Sequence, residues 1–192
     1  MTALDLAAAF AVGLLIAVVA FLGFGTYNAI VSLRLRIDKA WANIDVALKQ
    51  RFDLLPNLVD AVRGVMAFEQ RVLSDVAAVR AAYQPAAPIP DQAATSEATS
   101  SAVRSLFAVV ERYPELRSAS NVMALQEEIE RLEEMIADRR ELYNDQVYRY
   151  NARIGQFPGI VLASLLGWRP RPFFEAQPED RARPSTDLSE RE

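Results

Sequence analysis

The chain has 192 residues, a formal net charge of −4, and neither histidine nor cysteine. This composition excludes disulfides, thiol nucleophiles, the usual zinc sites and imidazole acid–base chemistry, and the near balance of charges gives no basic surface for nucleic acid. The length is sufficient for one domain with a single core plus an appendage.

The first element is an uncharged apolar run, LAAAFAVGLLIAVVAFLGFG, from Leu6 to Gly25. At 1.5 Å per residue a helix of this length spans about 30 Å, the thickness of the hydrocarbon core of a bilayer. A signal peptide would have a basic start and a shorter apolar run, whereas the only charge ahead of this run is Asp5. We therefore interpret residues 1–26 as a retained transmembrane anchor.

The charges that flank the apolar run predict its orientation. Arg34, Arg36 and Lys39 follow the run, and no Lys or Arg precedes it. By the positive-inside rule the N-terminus lies outside and the bundle that follows lies in the cytoplasm. The predicted localisation is therefore the bacterial inner membrane, as a single-pass protein.

Apolar residues after the anchor recur in steps of three and four, which is the spacing of amphipathic helices. The first stripe continues the anchor without a break and runs from Leu33 to Leu55. The motif RFDLLPNL follows. Because proline is tolerated in the first turn of a helix but is costly in its interior, Pro56 predicts a corner at which helix two begins. Helix two is predicted to run to Tyr83.

The second half of the chain begins with a proline-rich segment, QPAAPIPDQAATSEATSS, which has linker composition at residues 84–101. A short third helix is predicted to follow and to end at the YPEL motif, because the residue before a proline disfavours helix. The fourth stripe is the longest and runs from Val122 to Phe157, where FPG ends it.

These narrow stripes, joined by short connections, must face one another. The sequence therefore predicts an all-α protein, in which an N-terminal transmembrane helix precedes an antiparallel up-down-up-down four-helix bundle with long helices. The bundle is predicted to cover residues 27–175, and the polar tail 176–192 is predicted to be disordered.

Three long motifs in this order resemble the LemA family. They are YNAIVSLRLRIDKAWANIDVALKQRFDLLPNLVDAV, RYPELRSASNVMALQEEIE and IADRRELYNDQVYRYNARIGQFPGIVLASLLGW, the last followed by PFFE. The resemblance implies a membrane-anchored antiparallel helical bundle and supplies no catalytic activity. Relatives are linked to membrane remodelling around bacterial organelles and to neighbourhoods of membrane proteases.

Several polar residues lie on or beside the predicted core faces. Arg140 interrupts the longest stripe, and a buried guanidinium needs a carboxylate because an unpaired buried charge is very costly. Asp45 and Asp53 are the first candidate partners, and Glu69 is the third. Asn144 and Asn151 lie one heptad apart beside this stripe, and paired polar residues with this spacing are typical of groups that fix helix register. The predicted structural network comprises Asp45, Asp53, Asn57, Arg140, Asn144 and Asn151.

Two functional alternatives accompany this structural interpretation. Arg51, Asp53 and Asn57 could form a docking epitope at the predicted corner, about 40 Å from the bilayer. The acidic motif EEIERLEE could form a carboxylate metal centre, but such centres in bundles pair glutamate with histidine, and intrahelical pairs such as Glu127 with Arg131 account for the acidic residues. We therefore predict no catalytic residues, no metal and no cofactor.

The apolar segment FPGIVLASLLGW follows the fourth helix and is too short, at about ten residues, to span a bilayer. Helix one leaves the membrane, so helix four returns to it after the chain has reversed direction three times. This segment is therefore predicted to contact the membrane surface. The alternative is a lid that closes the end of the bundle core. The predicted contact residues are Ile160, Leu162, Leu166, Trp168 and Arg169.

The sequence thus predicts a membrane-anchored, non-enzymatic helical bundle that serves as a cytoplasmic interaction or scaffolding module. An accessory or regulatory factor of an integral membrane protease or sensor is the alternative, and a carboxylate metalloenzyme is the third hypothesis. The expected partners are the lipid bilayer and an unidentified membrane or cytoplasmic protein, but not nucleic acid. Association into a homo-oligomer remains open.

Overall fold

The computed structural model describes residues 3–65 and 69–175. Every regular element in these ranges is a helix and none is a strand, so the all-α class is confirmed. The predicted disordered tail, residues 176–192, lies outside the described residues. The helices are α1 (Ala3–Arg63), α2 (Gln70–Ala82), α3 (Ile89–Val110), α4 (Pro114–Arg117), α5 (Ser120–Gly155) and α6 (Gly159–Leu166).

Helix α1 begins with the apolar run and continues through it without interruption, as predicted. An 18-residue window near its start has a mean hydropathy of 2.7 and is 0% buried, so this part of α1 is long and apolar enough to cross a membrane. Burial begins just after the uncharged run, at Thr26 and Ile30. One helix therefore supplies both an exposed apolar segment and, further along, core residues.

The predicted corner at Pro56 is wrong, because α1 continues through this proline to Arg63. A proline in a helix interior costs about 3 kcal/mol. However, Leu58 and Val62 lie fully buried beyond it, and burying a large aliphatic side chain contributes roughly 1.5–3 kcal/mol. The packing of the last turns of α1 therefore outweighs the loss of one hydrogen bond, and the chain turns at Gly64 and Val65 instead.

The prediction of a long linker and a short third helix is also wrong, since α3 begins at Ile89 and has 22 residues. Only residues 83–88 lie between α2 and α3. Several polar side chains on α3 bond locally: the hydroxyls of Thr95 and Thr99 donate to the carbonyls four residues back, and Gln92 Nε2 donates to the carbonyls of Pro85 and Ala87. Small residues thus form a packed helical face that an apolar-stripe search overlooks.

The predicted ends of the last two long helices are confirmed. Helix α3 ends at Val110, just before the YPEL motif, and α5 runs over 36 residues to Gly155, just before the FPG motif. Helix α4 is a single turn with Pro114 in its first turn, where a missing N–H is tolerated.

The chain forms two compact units. Among the described residues, the first unit combines residues 3–41 with Tyr143–Arg171, and the second combines residues 42–65 and 69–142 with residues 172–175. Each unit has its own buried apolar residues, and the predicted division into anchor, bundle and tail stays a prediction. The first unit buries Ile30, Ile37, Ala40, Tyr143, Val147, Tyr150, Ile154 and Ala163, and the second buries Ile44, Leu48, Leu55, Leu58, Val62, Val76, Val103, Leu106, Val110, Ile129, Leu132 and Ile136.

Candidate functional site

A buried arginine joins three helices of the second unit. Arg51 on α1 is 0% exposed, and its Nη1 lies 2.7 Å from Glu133 Oε1 on α5. The same nitrogen donates to Ser100 Oγ on α3 at 2.9 Å, while Nη2 donates to the hydroxyl and carbonyl oxygens of Ser96 at 3.0 and 3.3 Å. Ser100 Oγ in turn lies 2.6 Å from Glu133 Oε2. We call Arg51, Ser96, Ser100 and Glu133 the Arg51 network.

The electrostatics of the Arg51 network reflect burial opposed by pairing. Burial lowers the pKa of the Arg51 guanidinium below its ordinary value, and the charge and hydrogen bond of Glu133 oppose that shift. An arginine stays protonated in proteins even so, because its ordinary pKa is above 12. The guanidinium carbon also lies 5.4 Å from the ring centre of Phe52, which stacks on Tyr83 at 3.9 Å between ring centres. The charge is therefore enclosed by a carboxylate, two serines and an aromatic face.

This arrangement suits fixing the helices against one another and does not suit binding a substrate. The guanidinium is inaccessible to solvent, and its hydrogen bonds go to groups on α3 and α5. Removing one partner would leave a buried charge, so each register shift among these helices is penalised. The docking epitope that included Arg51 is wrong for this residue, although Asp53 and Asn57 are exposed.

The structure does not place Arg140 where the sequence pattern put it. Arg140 is exposed, so it is not the buried guanidinium, and the carboxylate of the buried pair belongs to Glu133 rather than to Asp45 or Asp53. The helix turns its neighbour inward instead: Arg139 is half-buried, and its Nη1 donates to the carbonyl oxygen of Asn43 on α1 at 2.6 Å. A stripe in steps of three and four allows either 139 or 140 between Ile136 and Tyr143, and packing selects 139.

The remaining residues of the predicted polar network lie apart from the Arg51 network. Asp45 is half-buried, while Asp53 and Asn57 are exposed. Glu69, the third predicted partner of Arg140, instead lies 3.3 Å from Arg112 Nη2. Arg51 itself was detectable in the sequence, since it lies three residues after Leu48 and four before Leu55 on the first stripe.

Asn151 has a different role from the predicted pairing with Asn144. Its amide Nδ2 donates to the carbonyl oxygen of Arg171 at 3.0 Å, and its Oδ1 accepts from the Arg171 N–H at 2.8 Å. The side chain thus pairs with both backbone groups of one residue, as a neighbouring strand would. Tyr150 Oη donates to the carbonyl oxygen of Arg169 at 3.2 Å. Two successive residues of α5 therefore fasten the segment after α6, and we call them the Asn151 clamp.

Two further tyrosines of α5 differ in their exposure, because their spacing places them on different faces of the helix. Tyr143 is buried with its ring 5.8 Å from Trp41, whereas Tyr148 is exposed. Burial raises the pKa of Tyr143 to about 12, with Arg171 lowering it and Asp38 raising it. Arg171 Nη2 lies 3.5 Å from Asp38 Oδ1.

Helix α6 lies against the part of α1 that directly follows the apolar run. Trp168 stacks on Tyr27 with 5.7 Å between ring centres, and the guanidinium of Arg34 lies 5.9 Å from the Trp168 ring. A Cβ added to Gly159 would meet the Arg153 carbonyl oxygen at 2.0 Å and Ile30 Cδ1 at 3.5 Å. Helix α6 ends at Leu166, and the next residue, Gly167, has a φ of 67° that lets the Trp168 N–H bond back to the Ala163 carbonyl oxygen.

Glutamates of the acidic motif EEIERLEE on α5 have two different roles: one pairs within the helix and another binds a different helix. Glu128 pairs with Arg131 within the helix, so the partner of this arginine is Glu128 rather than the predicted Glu127. Glu133 enters the Arg51 network. Among residues 3–65 and 69–175, no cluster of three or more acidic side chains is arranged to hold a metal ion.

Comparison with known proteins places this architecture in a family. The model of the LemA family matches residues 40–188, which is more than half of the chain. Over 73 residues the chain is 34% identical to magnetosome proteins MamQ 1 and MamQ 2 of Paramagnetospirillum magneticum, and 32% identical to magnetosome protein MamQ of Magnetospirillum gryphiswaldense. Each match covers 38% of this chain and 27% of the relative. This chain belongs to the LemA family.

Proposed function

We propose that this protein is a membrane-anchored, non-enzymatic helical bundle that acts as a cytoplasmic interaction or scaffolding module at the bacterial inner membrane. The observation that carries the proposal is α1, in which one uninterrupted helix holds an exposed apolar segment and then core residues of the second unit. The basic residues Arg34, Arg36 and Lys39 follow that segment and none precedes it, which favours a cytoplasmic bundle.

Contacts within the second unit support an up-down-up-down arrangement of α1, α2, α3 and α5. Asn43 contacts Arg139 while Arg51 contacts Glu133, so residue numbers rise along α1 as they fall along α5. Phe52 stacks on Tyr83 at the far end of α2. The ion pair of Glu69 with Arg112 brings the start of α2 to the end of α3. Each of these pairings is that of antiparallel neighbours.

A binding role agrees with the way this unit uses its ionisable groups. Its fully buried charge, Arg51, is engaged by neighbouring helices, and a catalytic group would have to reach a substrate. The rigid Arg51 network instead holds the exposed faces of the helices in fixed positions, which reduces the entropy lost when a partner binds.

Orientation and binding can be tested separately. Since the chain has no cysteine, single cysteines at Leu4 and at Ser105 can be labelled in sealed spheroplasts with a membrane-impermeant maleimide. We expect labelling at Leu4 without lysis and at Ser105 only after lysis. The opposite pattern would overturn the cytoplasmic location.

The scaffolding role is tested by photocrosslinking in intact membranes from the exposed positions Asp53, Asn57 and Met123, with a probe at the buried Leu48 as the control. We expect a distinct protein to be trapped at one or more exposed positions and none at Leu48. If every exposed position yields only the chain itself or no product, the scaffolding role is wrong, while the membrane anchor is unaffected.

A further inference from the structure

Helix α6 has its small residues inside and its large apolar residues outside. Gly159 and Ala163 are buried, and Leu162 is half-buried. The opposite face presents Ile160, Val161 and Leu165, with Leu165 76% exposed. A surface helix in water normally turns its large apolar side chains toward the core and its polar side chains toward solvent.

This distribution disfavours the lid that the sequence left open. A lid on a core would direct its large side chains into the core, where burial is favourable. Here the close approach of α6 to the rest of the first unit requires the absence of a side chain at Gly159, because a Cβ there would lie 2.0 Å from the Arg153 carbonyl oxygen. The large side chains are left for a different apolar environment.

The position of α6 within the first unit indicates which environment that is. Trp168 and Gly159, at the two ends of α6, lie beside Tyr27 and Ile30. Tyr27 and Ile30 follow Gly25, the last residue of the apolar run, by two and five residues, which is within about one and a half turns. The exposed face of α6 therefore lies within the same unit as the end of the membrane-spanning segment.

The charges around α6 match a lipid surface. Residues 6–38 and 155–171 contain the four basic residues Arg34, Arg36, Arg169 and Arg171 and one acidic residue, Asp38, which pairs with Arg171 and leaves a net charge of +3. Tryptophan and tyrosine are enriched at membrane–water interfaces, and basic residues near them attract anionic headgroups. Trp168, which stacks on Tyr27 and has the Arg34 guanidinium near its ring, combines these features at one point.

We propose that α6 lies in the membrane–water interface as a second, non-spanning membrane contact, with Ile160, Val161 and Leu165 inserted among the lipid chains. The inference rests on the proposed membrane anchor. It revises the residues predicted from sequence, because Leu162 is turned partly inward while Phe157 and Leu165 are the most exposed apolar side chains of this segment. An interfacial helix of this kind inserts its apolar face about 5–10 Å into the headgroup–acyl boundary.

The test uses the full chain in phosphatidylglycerol-containing vesicles and the absence of native cysteine. An environment-sensitive fluorophore is attached to Leu165→Cys or, as a second variant, Ile160→Cys. The matched control is Leu142→Cys, an exposed leucine on α5 in the second unit. A fourth label at Val12→Cys reports on the apolar run, and circular dichroism establishes that each labelled chain is folded. Quenching by spin-labelled lipids is then measured for each.

We expect lipid quenching to remove most of the fluorescence at positions 165, 160 and 12 and little at position 142. Quenching at position 12 without quenching at 165 or 160 would overturn the interfacial role of α6 and leave the anchor intact. A blue-shifted label at 165 that lipids do not quench would also overturn it, because the face would then be covered by protein. Absence of quenching at position 12 would refute the anchor itself, and with it this inference.

Discussion

The two units use polar side chains in contrasting ways. In the second unit, the charged side chain of Arg51 is fully buried and is shared by groups on α3 and α5. In the first unit, the neutral amide of Asn151 reproduces the hydrogen bonds of a backbone and holds the segment after α6. A buried charge therefore fixes several helices at once, whereas a neutral clamp fixes the backbone of only one residue. Disrupting the first should therefore cost far more than disrupting the second.

The largest effect is expected from Arg51→Met. The substitution removes the hydrogen bonds to Ser96 and Ser100 and leaves Glu133, whose side chain is 31% exposed, without its cation. Because water reaches this carboxylate, we expect a cost of about 3 kcal/mol, the lower end of the range for breaking a buried ion pair. The free energy of unfolding, measured by urea titration in detergent micelles with circular dichroism, should fall by this amount. The matched control Arg140→Met, on an exposed arginine, should change it by less than about 0.5 kcal/mol. If the free energy of unfolding fell equally in the two variants, the ion pair and hydrogen bonds of Arg51 would contribute nothing to stability.

The origin of that loss can be separated from packing with a second substitution. Glu133→Leu alone leaves the Arg51 charge unpaired, but the double variant Arg51→Met/Glu133→Leu leaves no charge at all. Because replacing both members of a buried pair is often near neutral, the double variant should be more stable than Arg51→Met alone. Additive losses would show that the cost of Arg51→Met comes from lost packing.

A second prediction concerns the pH dependence of stability, because a rise in pH deprotonates a buried, neutral tyrosine of the first unit and gives it a charge. Burial raises the pKa of Tyr143 to about 12, above the ordinary value of 10.0. The stabilisation that this shift represents is therefore complete below pH 10 and is lost as the pH rises to about 12, because deprotonation then favours the unfolded chain. The loss amounts to about 2–3 kcal/mol.

Tyr143→Phe removes this titration and is compared with the native chain across the same pH range. The free energy of unfolding of the variant should decrease less between pH 10 and 12. A remaining decrease is expected, since burial also raises the pKa of Tyr83 in the second unit. If the two chains lose stability in parallel, Tyr143 does not cause the alkaline loss.

A third prediction concerns backbone approach in the first unit. Gly159→Ala places a Cβ 2.0 Å from the Arg153 carbonyl oxygen, so the backbone of α6 has to move. Overpacking of this kind typically costs about 1–3 kcal/mol. Gly155→Ala is the matched control, because a Cβ at Gly155 meets no atom within 4 Å, and alanine favours helix over glycine by up to about 1 kcal/mol. Thermal unfolding should therefore shift in opposite directions for the two variants, and a harmless Gly159→Ala would contradict the close approach.

The contrast between the units also explains which features the sequence could predict. Long apolar stripes predicted the continuous course of α1 out of the apolar run and the extent of α5 correctly, because burial of large side chains dominates there. The stripe identified only the second half of α3, because the buried face of the first half contains the small polar residues Ser96 and Thr99. In that helix the stabilisation comes from close packing and local hydrogen bonds, which hydrophobic periodicity does not register.

The same reasoning applies to the candidate sites. Pro56 was taken for a helix start because its local cost is large, but the burial of Leu58 and Val62, which depends on tertiary contacts, determines the outcome. The choice between Arg139 and Arg140 depends on a rotation of α5 by one residue step, and the choice of Glu133 as the carboxylate depends on which helices pack together. Periodicity in steps of three and four does not resolve such rotations.

The smallest effect is expected at the Asn151 clamp. Asn151→Ala removes the hydrogen-bond partners of the Arg171 N–H and carbonyl groups. Because Arg171 is half-buried and water can partly reach these groups, the cost should be about 1–2 kcal/mol. Asn151→Asp keeps the acceptor for the Arg171 N–H but leaves the Arg171 carbonyl without a donor, and it should lose less than the alanine variant. Asn57→Ala, on an exposed asparagine of α1, is the control and should be neutral. Hydrogen exchange at the Arg171 amide gives a local measurement: faster exchange in Asn151→Ala, with protection retained in Asn151→Asp, would identify the side chain as a substitute for backbone pairing. Unchanged exchange in both variants would mean that the segment after α6 is held by other contacts, and the contrast between a shared charge and a local clamp would then fail.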